Sequence, residues 1–216
     1  MLVVAAIPFA LVLLRLLHHG RLAGLDGRVA VRLGRFAAES STAAQVAQYV
    51  TDLGHWIVLA TVVIGVTGVL VFVHRLRDAV FLVTTVVAGI GVDAVLKAVV
   101  LQARSAFVAP VASGLDKSFP SGHTMNSAFV YGALVVIVLP YLRSSVRWIP
   151  IMLATMIVVA IGASRVALNL HYISDVVGGA AFGAAWLGAA TWGFSRWRAE
   201  ASSAVSSQSI VVVASR

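Results

Sequence analysis

Two histidines and an aspartate stand within short polar motifs of a chain that is otherwise strongly apolar. The first motif is Pro120-Ser121-Gly122-His123, and the second is Ser164-Arg165 followed by His171 and Asp175. An imidazole can attack phosphorus or transfer a proton, and a carboxylate that accepts the other ring proton fixes its tautomer. We interpret His171 as a nucleophile oriented by Asp175, and His123 as the acid that protonates the leaving oxygen and later activates water.

Three cations accompany these motifs and could neutralise a phosphate group. They are Lys97, Arg104 and Arg165. Lys97 and Arg104 are separated by seven residues, about two helical turns, so both can project from one helix face. Ser121-Gly122 opens a predicted helix, where free backbone N–H groups and the positive end of the dipole bind anions. The residue types therefore indicate phosphoryl transfer.

Composition places the chain in the membrane class. Of its 216 residues, 60% are hydrophobic and 11% are charged, against about 25% charged residues in soluble domains. The absence of cysteine excludes disulfides and thiolate metal sites. The net charge is +8, but the cations lie between apolar runs, where they face lipid headgroups or anionic substrates. Nucleic acid is not an expected partner.

Apolar segments predict an all-α bundle of six transmembrane helices. Five segments have the length and composition of spans, at 56–73, 79–101, 125–142, 148–163 and 176–194. We interpret residues 1–17 as a further, first span, although they could be a signal peptide. Residues 1–198 then form one transmembrane domain, and the Ser/Ala-rich residues 199–216 are expected to be a disordered polar tail.

The segment 20–55 is only moderately apolar and has two interpretations. Arg28, Arg32, Arg35 and Glu39 share one helical face, and Val29, Leu33 and Phe36 share another. This pattern is typical of a helix lying in the membrane interface. It equally fits a connector helix packed on the bundle.

Alternation of the spans brings the polar motifs together. The residues Lys97 and Arg104, the motif at 120–123, and the motif from Ser164 to Asp175 emerge at the same membrane face. The loops 74–77, 142–147 and 196–198 lie at the other face and carry arginines, which would make that face cytoplasmic. The first loop also carries four arginines, so this rule is not decisive. We expect a multi-pass plasma-membrane protein with its site on the extracytoplasmic side.

These motifs resemble the type 2 phosphatidic acid phosphatase superfamily, over roughly residues 56–194, with the signature core at 93–179. That family shows a lysine with Arg-Pro seven residues later, then Pro-Ser-Gly-His, then Ser-Arg, five residues, His, three residues, Asp. The second and third signatures are complete here, but Arg104 is followed by Ser105 instead of proline. We expect Arg104 still to bind phosphate, with a looser exit from its helix.

The resemblance implies a two-step reaction through phosphohistidine, without metal or other cofactor. Its substrate would be an anionic lipid phosphate. We favour a polyprenyl diphosphate such as undecaprenyl diphosphate, and the alternatives are phosphatidylglycerol phosphate and phosphatidic acid. A lipid-linked phosphotransferase and a non-catalytic membrane transporter are the alternatives of other classes. The sequence does not give the oligomeric state.

Several nearby residues have simpler interpretations. Lys97 could extend to the headgroups, and Asp93 is placed to form an i, i+4 pair with it. We interpret Lys117 as a solvated charge, His55 as an interface anchor, and Gly178-Gly179 as a site of close helix packing.

Overall fold

The structure is a computed structural model that describes residues 28, 31–32, 40–107 and 119–214. For residues 100–107 and 198–214 it describes the backbone alone. The predicted first span, 1–17, and Lys117 lie outside the described residues. The described chain forms six α-helices, which are α1 (Ser41–Asp52), α2 (Trp56–Phe72), α3 (Leu76–Phe107), α4 (Gly122–Val138), α5 (Trp148–Ala167) and α6 (Ile173–Ala214). Two short 3₁₀ turns, Leu139–Tyr141 and Ser144–Val146, link α4 to α5.

The helices have the length and apolarity of membrane spans, so this is an all-α, multi-pass membrane protein. Four helical segments qualify singly, and α1 with α2 qualifies as a fifth, bent by 43° at the break between them. Large apolar side chains face outward, as with Phe72 at 84% and Ile64 at 71% exposure. In hydrocarbon such exposure carries no penalty, and the backbone polar groups are satisfied within each helix.

Helix α4 is the centre of the bundle and packs against α2, α3, α5 and α6. Its buried residues therefore do not form a single stripe. They point in several directions and include Met125, Phe129, Val130, Ala133 and Ile137. A helix that is apolar around most of its circumference is expected at such a position.

Glycines bring α6 close to α4. A Cβ on Gly183 would lie 2.5 Å from the Met125 carbonyl oxygen, and one on Gly179 would lie 2.6 Å from the Ser121 carbonyl oxygen. A Cβ on Gly178 would lie 2.5 Å from the Phe119 ring. Close backbone approach through small residues is how membrane helices gain packing energy. The packing interpretation of Gly178-Gly179 is confirmed.

The elbow between α1 and α2, residues 53–55, packs against the bundle. A Cβ on Gly54 would meet Ile161 Cγ2 at 2.8 Å and Ser127 Oγ at 3.0 Å. Tyr131 Oη donates to the Leu53 carbonyl oxygen at 2.9 Å. Helix α1 itself packs along α5, as the connector interpretation of this segment expects for the part that is described.

Helix α6 continues well past the membrane span, to Ala214. Residues 199–214 of the segment predicted as a disordered tail have helical backbone in this structure, and the expectation of disorder stays a prediction. The segment has no glycine or proline to end the helix, and alanine is the strongest helix former.

Candidate active site

The N-terminus of α4 forms one wall of a polar cluster. The N-cap Ser121 is extended and fully buried, and its backbone N–H donates to the Asp175 carbonyl oxygen at 3.0 Å. Thr124 Oγ1 donates to Ser121 Oγ at 3.2 Å. The Ser121 side chain thus accepts no hydrogen bond from a backbone N–H of α4, which leaves N–H groups of the first turn able to bind an anion.

Lys97 lies directly over this helix end. A Cβ on Gly122 would lie 2.6 Å from Lys97 Nζ, so glycine leaves the ammonium room beside the backbone, and a larger residue would require the end of the lysine side chain to shift. Lys97 Nζ donates to Asp93 Oδ2 at 2.7 Å, which confirms the predicted i, i+4 pair. Asp93 is 6% exposed, and its Oδ1 is buried without a hydrogen-bond partner among the described residues.

The turn after α5 brings His171 back to Arg165. Asn169 adopts a left-handed conformation with φ of 57°. The Leu170 N–H donates to the Arg165 carbonyl oxygen at 2.9 Å, and the Asn169 N–H donates to that of Val166 at 3.0 Å. This pattern is a Schellman motif, with Asn169 in place of the usual glycine. The His171 N–H also reaches the Arg165 carbonyl oxygen, at 3.2 Å.

Asp175 has two structural contacts through one oxygen. Its Oδ2 accepts a hydrogen bond from the Tyr172 N–H at 3.0 Å, closing the first turn of α6 as the third residue of a capping box does. The same Oδ2 lies 3.4 Å from His171 Nδ1. That separation places Nδ1 beside the carboxylate but does not meet hydrogen-bond geometry, since Nδ1 has no such partner among the described side chains. Both residues are buried.

His123 is the point where these groups converge. Four side chains lie near enough to its ring to interact with it electrostatically, and they are Arg165, His55, His171 and Lys97. They come from the last turn of α5, the α1–α2 elbow, the turn before α6 and the C-terminal half of α3. The predicted motifs are therefore assembled at one end of the bundle, as alternation of the spans requires.

His55 is the residue that sequence interpretation missed. Its ring centroid lies 6.1 Å from that of His123, and its Nδ1 accepts a hydrogen bond from the Ile57 N–H at 3.4 Å. That bond orients the ring as the N-cap of α2. Gly54, packed against Ile161 and Ser127, is the sequence signal that could have indicated the elbow's close approach.

The remaining predicted residues have distinct placements. Arg165 is half-buried, and its Nε has no hydrogen-bond partner in the described part of the chain, so it can donate to an anion. Helix α3 continues through Arg104, but the side chain of Arg104 lies outside the described part. Ser164 Oγ donates to the Ile161 carbonyl oxygen at 2.7 Å and so contributes to its own helix.

The described residues contain no group of side chains suited to binding a metal ion. Among residues 40–107 and 119–214, no three histidine or carboxylate side chains converge as they would around a metal ion. The cluster instead combines cations and helix N–H groups, which suit an oxyanion, with two histidines, which suit attack and proton transfer.

Two replacements of Asp93 distinguish the effect of its negative charge from the effect of its hydrogen bond to Lys97. Asp93→Leu loses both, so Lys97 becomes mobile and we expect inorganic phosphate to bind about fivefold more weakly. Asp93→Asn keeps an oxygen that can accept from Lys97 but removes a negative charge, and phosphate should bind at least as tightly as in the unmodified protein. Titration calorimetry with phosphate would measure both. Equal weakening by the two variants would contradict the positioning role.

Comparisons with known proteins agree on one family. The model of the PAP2 superfamily matches residues 78–199, more than half of the chain. Phosphatidylglycerophosphatase B of Bacillus subtilis (strain 168) is 31% identical over 137 residues, covering 62% of this chain and 66% of that protein, just under two thirds.

A solved structure shares the fold. It is the crystal structure of the first transmembrane PAP2 type phosphatidylglycerolphosphate phosphatase from Bacillus subtilis, which matches with a TM-score of 0.73 at 24% identity. The match covers 89% of this chain and 96% of that one.

Proposed function

Because the chain belongs to the PAP2 superfamily, we propose that it is a membrane phosphatase that removes phosphate from a lipid headgroup through a phosphohistidine intermediate. The observation that supports this most is the convergence on His123 of Arg165, His171 and Lys97 beside the N-terminus of α4. An oxyanion at this position would meet positive charge from several directions, which is what phosphoryl transfer needs.

The first step is displacement at phosphorus. Since His171 Nδ1 faces Asp175, Nε2 is the nitrogen that attacks, and the bond from phosphorus to the leaving oxygen breaks. His123 donates a proton to that oxygen, so the lipid leaves as a neutral alcohol, or as a lipid phosphate when the substrate is a diphosphate. Lys97, Arg104, Arg165 and the backbone at Ser121-Gly122 stabilise the charge on the equatorial oxygens.

The second step is hydrolysis of the phosphohistidine. His123, now unprotonated, takes a proton from water as its oxygen attacks phosphorus. The bond from phosphorus to His171 breaks, inorganic phosphate leaves, and both histidines return to their starting state. Every proton transfer uses groups of this chain, and we propose that the reaction requires no metal.

The substrate is proposed from the relatives and from the position of the site. Phosphatidylglycerol phosphate is the first candidate, because the names of the two relatives refer to that activity. A polyprenyl diphosphate, which sequence analysis favoured, is the second, since its diphosphate would meet the same cations. Both are anionic lipids whose headgroups reach the membrane interface, where this end of the bundle lies. We place the site on the extracytoplasmic side of the plasma membrane, because the opposite loops are rich in arginine.

The test is phosphate release by the purified full-length protein in detergent with EDTA. The panel contains phosphatidylglycerol phosphate, phosphatidic acid and undecaprenyl diphosphate, at equal surface concentration. We expect release to persist in EDTA and kcat/KM to be highest for phosphatidylglycerol phosphate. Loss of activity in EDTA that magnesium restores would contradict the metal-free mechanism.

Rival functions give different results in the same assay. A phosphotransferase would release little phosphate until an acceptor alcohol is added, and would then form a new phosphate ester. A transporter would release none from any lipid, with or without acceptor. Either result from monodisperse, thermally stable protein would overturn the hydrolase proposal.

A further inference from the structure

A pocket lies at the opposite end of the bundle from the cluster around His123. It has a volume of about 470 Å³ and is formed by the α2–α3 turn, the end of α4 with its 3₁₀ turn, and α6. Along α4, Gly122 and Ile137 are separated by about 22 Å at 1.5 Å per residue. A ligand in this pocket therefore cannot share the phosphate position of the candidate active site.

The pocket has an apolar floor and a basic rim. The floor includes Phe81, Ile137 and Phe194, of which Phe81 and Ile137 are buried. The rim includes Arg75 and Arg77. A polar opening above an apolar base matches an amphipathic ligand with a charged headgroup.

The charge of the rim favours an anion. Arg75 donates to Asp78 Oδ2 from Nε at 2.9 Å and from a terminal nitrogen at 2.6 Å, and its guanidinium stacks on Tyr141 at 3.9 Å. Two of its five N–H groups are thereby used, and the group is held in place. Arg77 is exposed and has no ion pair among the described residues. The pocket lining thus contains two arginine side chains and one aspartate side chain, so positive charge exceeds negative charge.

The backbone fixes this rim. His74 has a φ of 59°, and the Arg75 N–H donates to the Leu70 carbonyl oxygen at 2.7 Å, so a second Schellman motif ends α2. Helix α3 begins at Leu76, which lines the pocket, and the positive end of its dipole lies beside the arginines.

Aromatic side chains place the pocket at the depth of the headgroups. Phe194 packs on Trp197 with ring centroids 5.3 Å apart, and Arg196 lies over the Trp192 ring at 4.9 Å. Tryptophan and arginine together are typical of the membrane–water interface. Basic pockets between helices at this level bind the headgroups of anionic lipids.

We propose that this pocket binds the phosphate-bearing headgroup of an anionic membrane phospholipid, as a site separate from the candidate active site. The lipid phosphate contacts Arg75 and Arg77, and the upper part of the lipid rests on Phe81 and Phe194. The bound lipid bridges α3, α4 and α6, so it stabilises the folded bundle.

The test is binding of phosphatidylglycerol to the purified full-length protein, by native mass spectrometry and by the Tm in detergent. Arg77→Gln should weaken binding about fivefold and reduce the Tm increase that the lipid produces. Ser195→Leu, which fills the pocket and keeps its cations, should do the same. Arg143→Gln is the matched control, because Arg143 is an exposed cation at the same end of the bundle but does not line the pocket.

Each arm can overturn the proposal. If Arg143→Gln weakens binding as much as Arg77→Gln, the attraction is general surface electrostatics. If Lys97→Ala removes the effect and Arg77→Gln does not, the lipid binds at the candidate active site. If inorganic phosphate raises the Tm as much as the lipid, and Arg77→Gln reduces that increase, the occupant of the pocket is a free anion. If phosphatidylcholine does so, charge is not recognised. The test requires no turnover, so it stands apart from the proposed phosphatase activity.

Discussion

Replacing His171 with alanine is expected to lower phosphate release by a factor of about 10⁴ or more, because removal of the proposed nucleophile leaves only the catalysis that binding and the cations provide. His171 is buried at the end of a turn whose backbone bonds do not use its side chain. The variant should therefore fold, with a Tm close to that of the unmodified protein. Initial rates on the preferred lipid, with Tm measured in parallel, would check this.

A chemical trap distinguishes a nucleophile from a residue that only positions others. With substrate labelled in the departing phosphate, acid-labile and alkali-stable label should appear on the unmodified protein and increase in His123→Ala, which attacks slowly but hydrolyses more slowly still. His171→Ala should carry none. Label that remains in His171→Ala, or activity within tenfold of the unmodified protein, would assign the nucleophile elsewhere.

Replacing Gly179 with alanine is expected to have the second largest effect, although Gly179 contributes no chemistry. The new Cβ would lie 2.6 Å from the Ser121 carbonyl oxygen and 3.2 Å from the Met125 nitrogen. Both are backbone atoms, so α6 and the N-terminus of α4 must separate. We expect a loss of about 1–3 kcal/mol in the free energy of unfolding and a decrease in kcat on the order of 10² as the cluster shifts.

Gly188→Ala is the matched control for this prediction. Gly188 lies on the same helix, and a Cβ there would meet nothing within 4 Å. Its replacement should leave kcat unchanged and stabilise α6 slightly, since alanine is the better helix former by about 1 kcal/mol. Thermal unfolding and kcat would be measured for both variants. If the two behave alike, the close approach of α6 to α4 does not position the site.

Sequence alone predicted the four helices that qualify singly as spans and the end of the bundle at which the motifs meet. Hydropathy defines a span because the bilayer fixes its length, and alternation then determines where each motif emerges. Local geometry could also be predicted, since the pair formed by Asp93 and Lys97 follows from helical periodicity. These features depend on residues that are near one another in the chain.

Features that depend on distant contacts were not predicted. His55 approaches His123 because the α1–α2 elbow is held by Tyr131, 78 residues from Leu53 along the chain. Histidine is also not among the preferred N-cap residues, so its place at the start of α2 carried no signal.

The Schellman motif at Asn169 has a consequence for how sequences of this fold can vary. It sets the five-residue interval between Arg165 and His171, since the Leu170 and His171 N–H groups both reach the Arg165 carbonyl oxygen. An insertion or deletion within this interval would rotate His171 away from the partners that it needs. Residue 169 can be only glycine, asparagine or another residue that tolerates a left-handed backbone. The geometry of the helix C-terminus thus determines the spacing between the two candidate site residues Arg165 and His171.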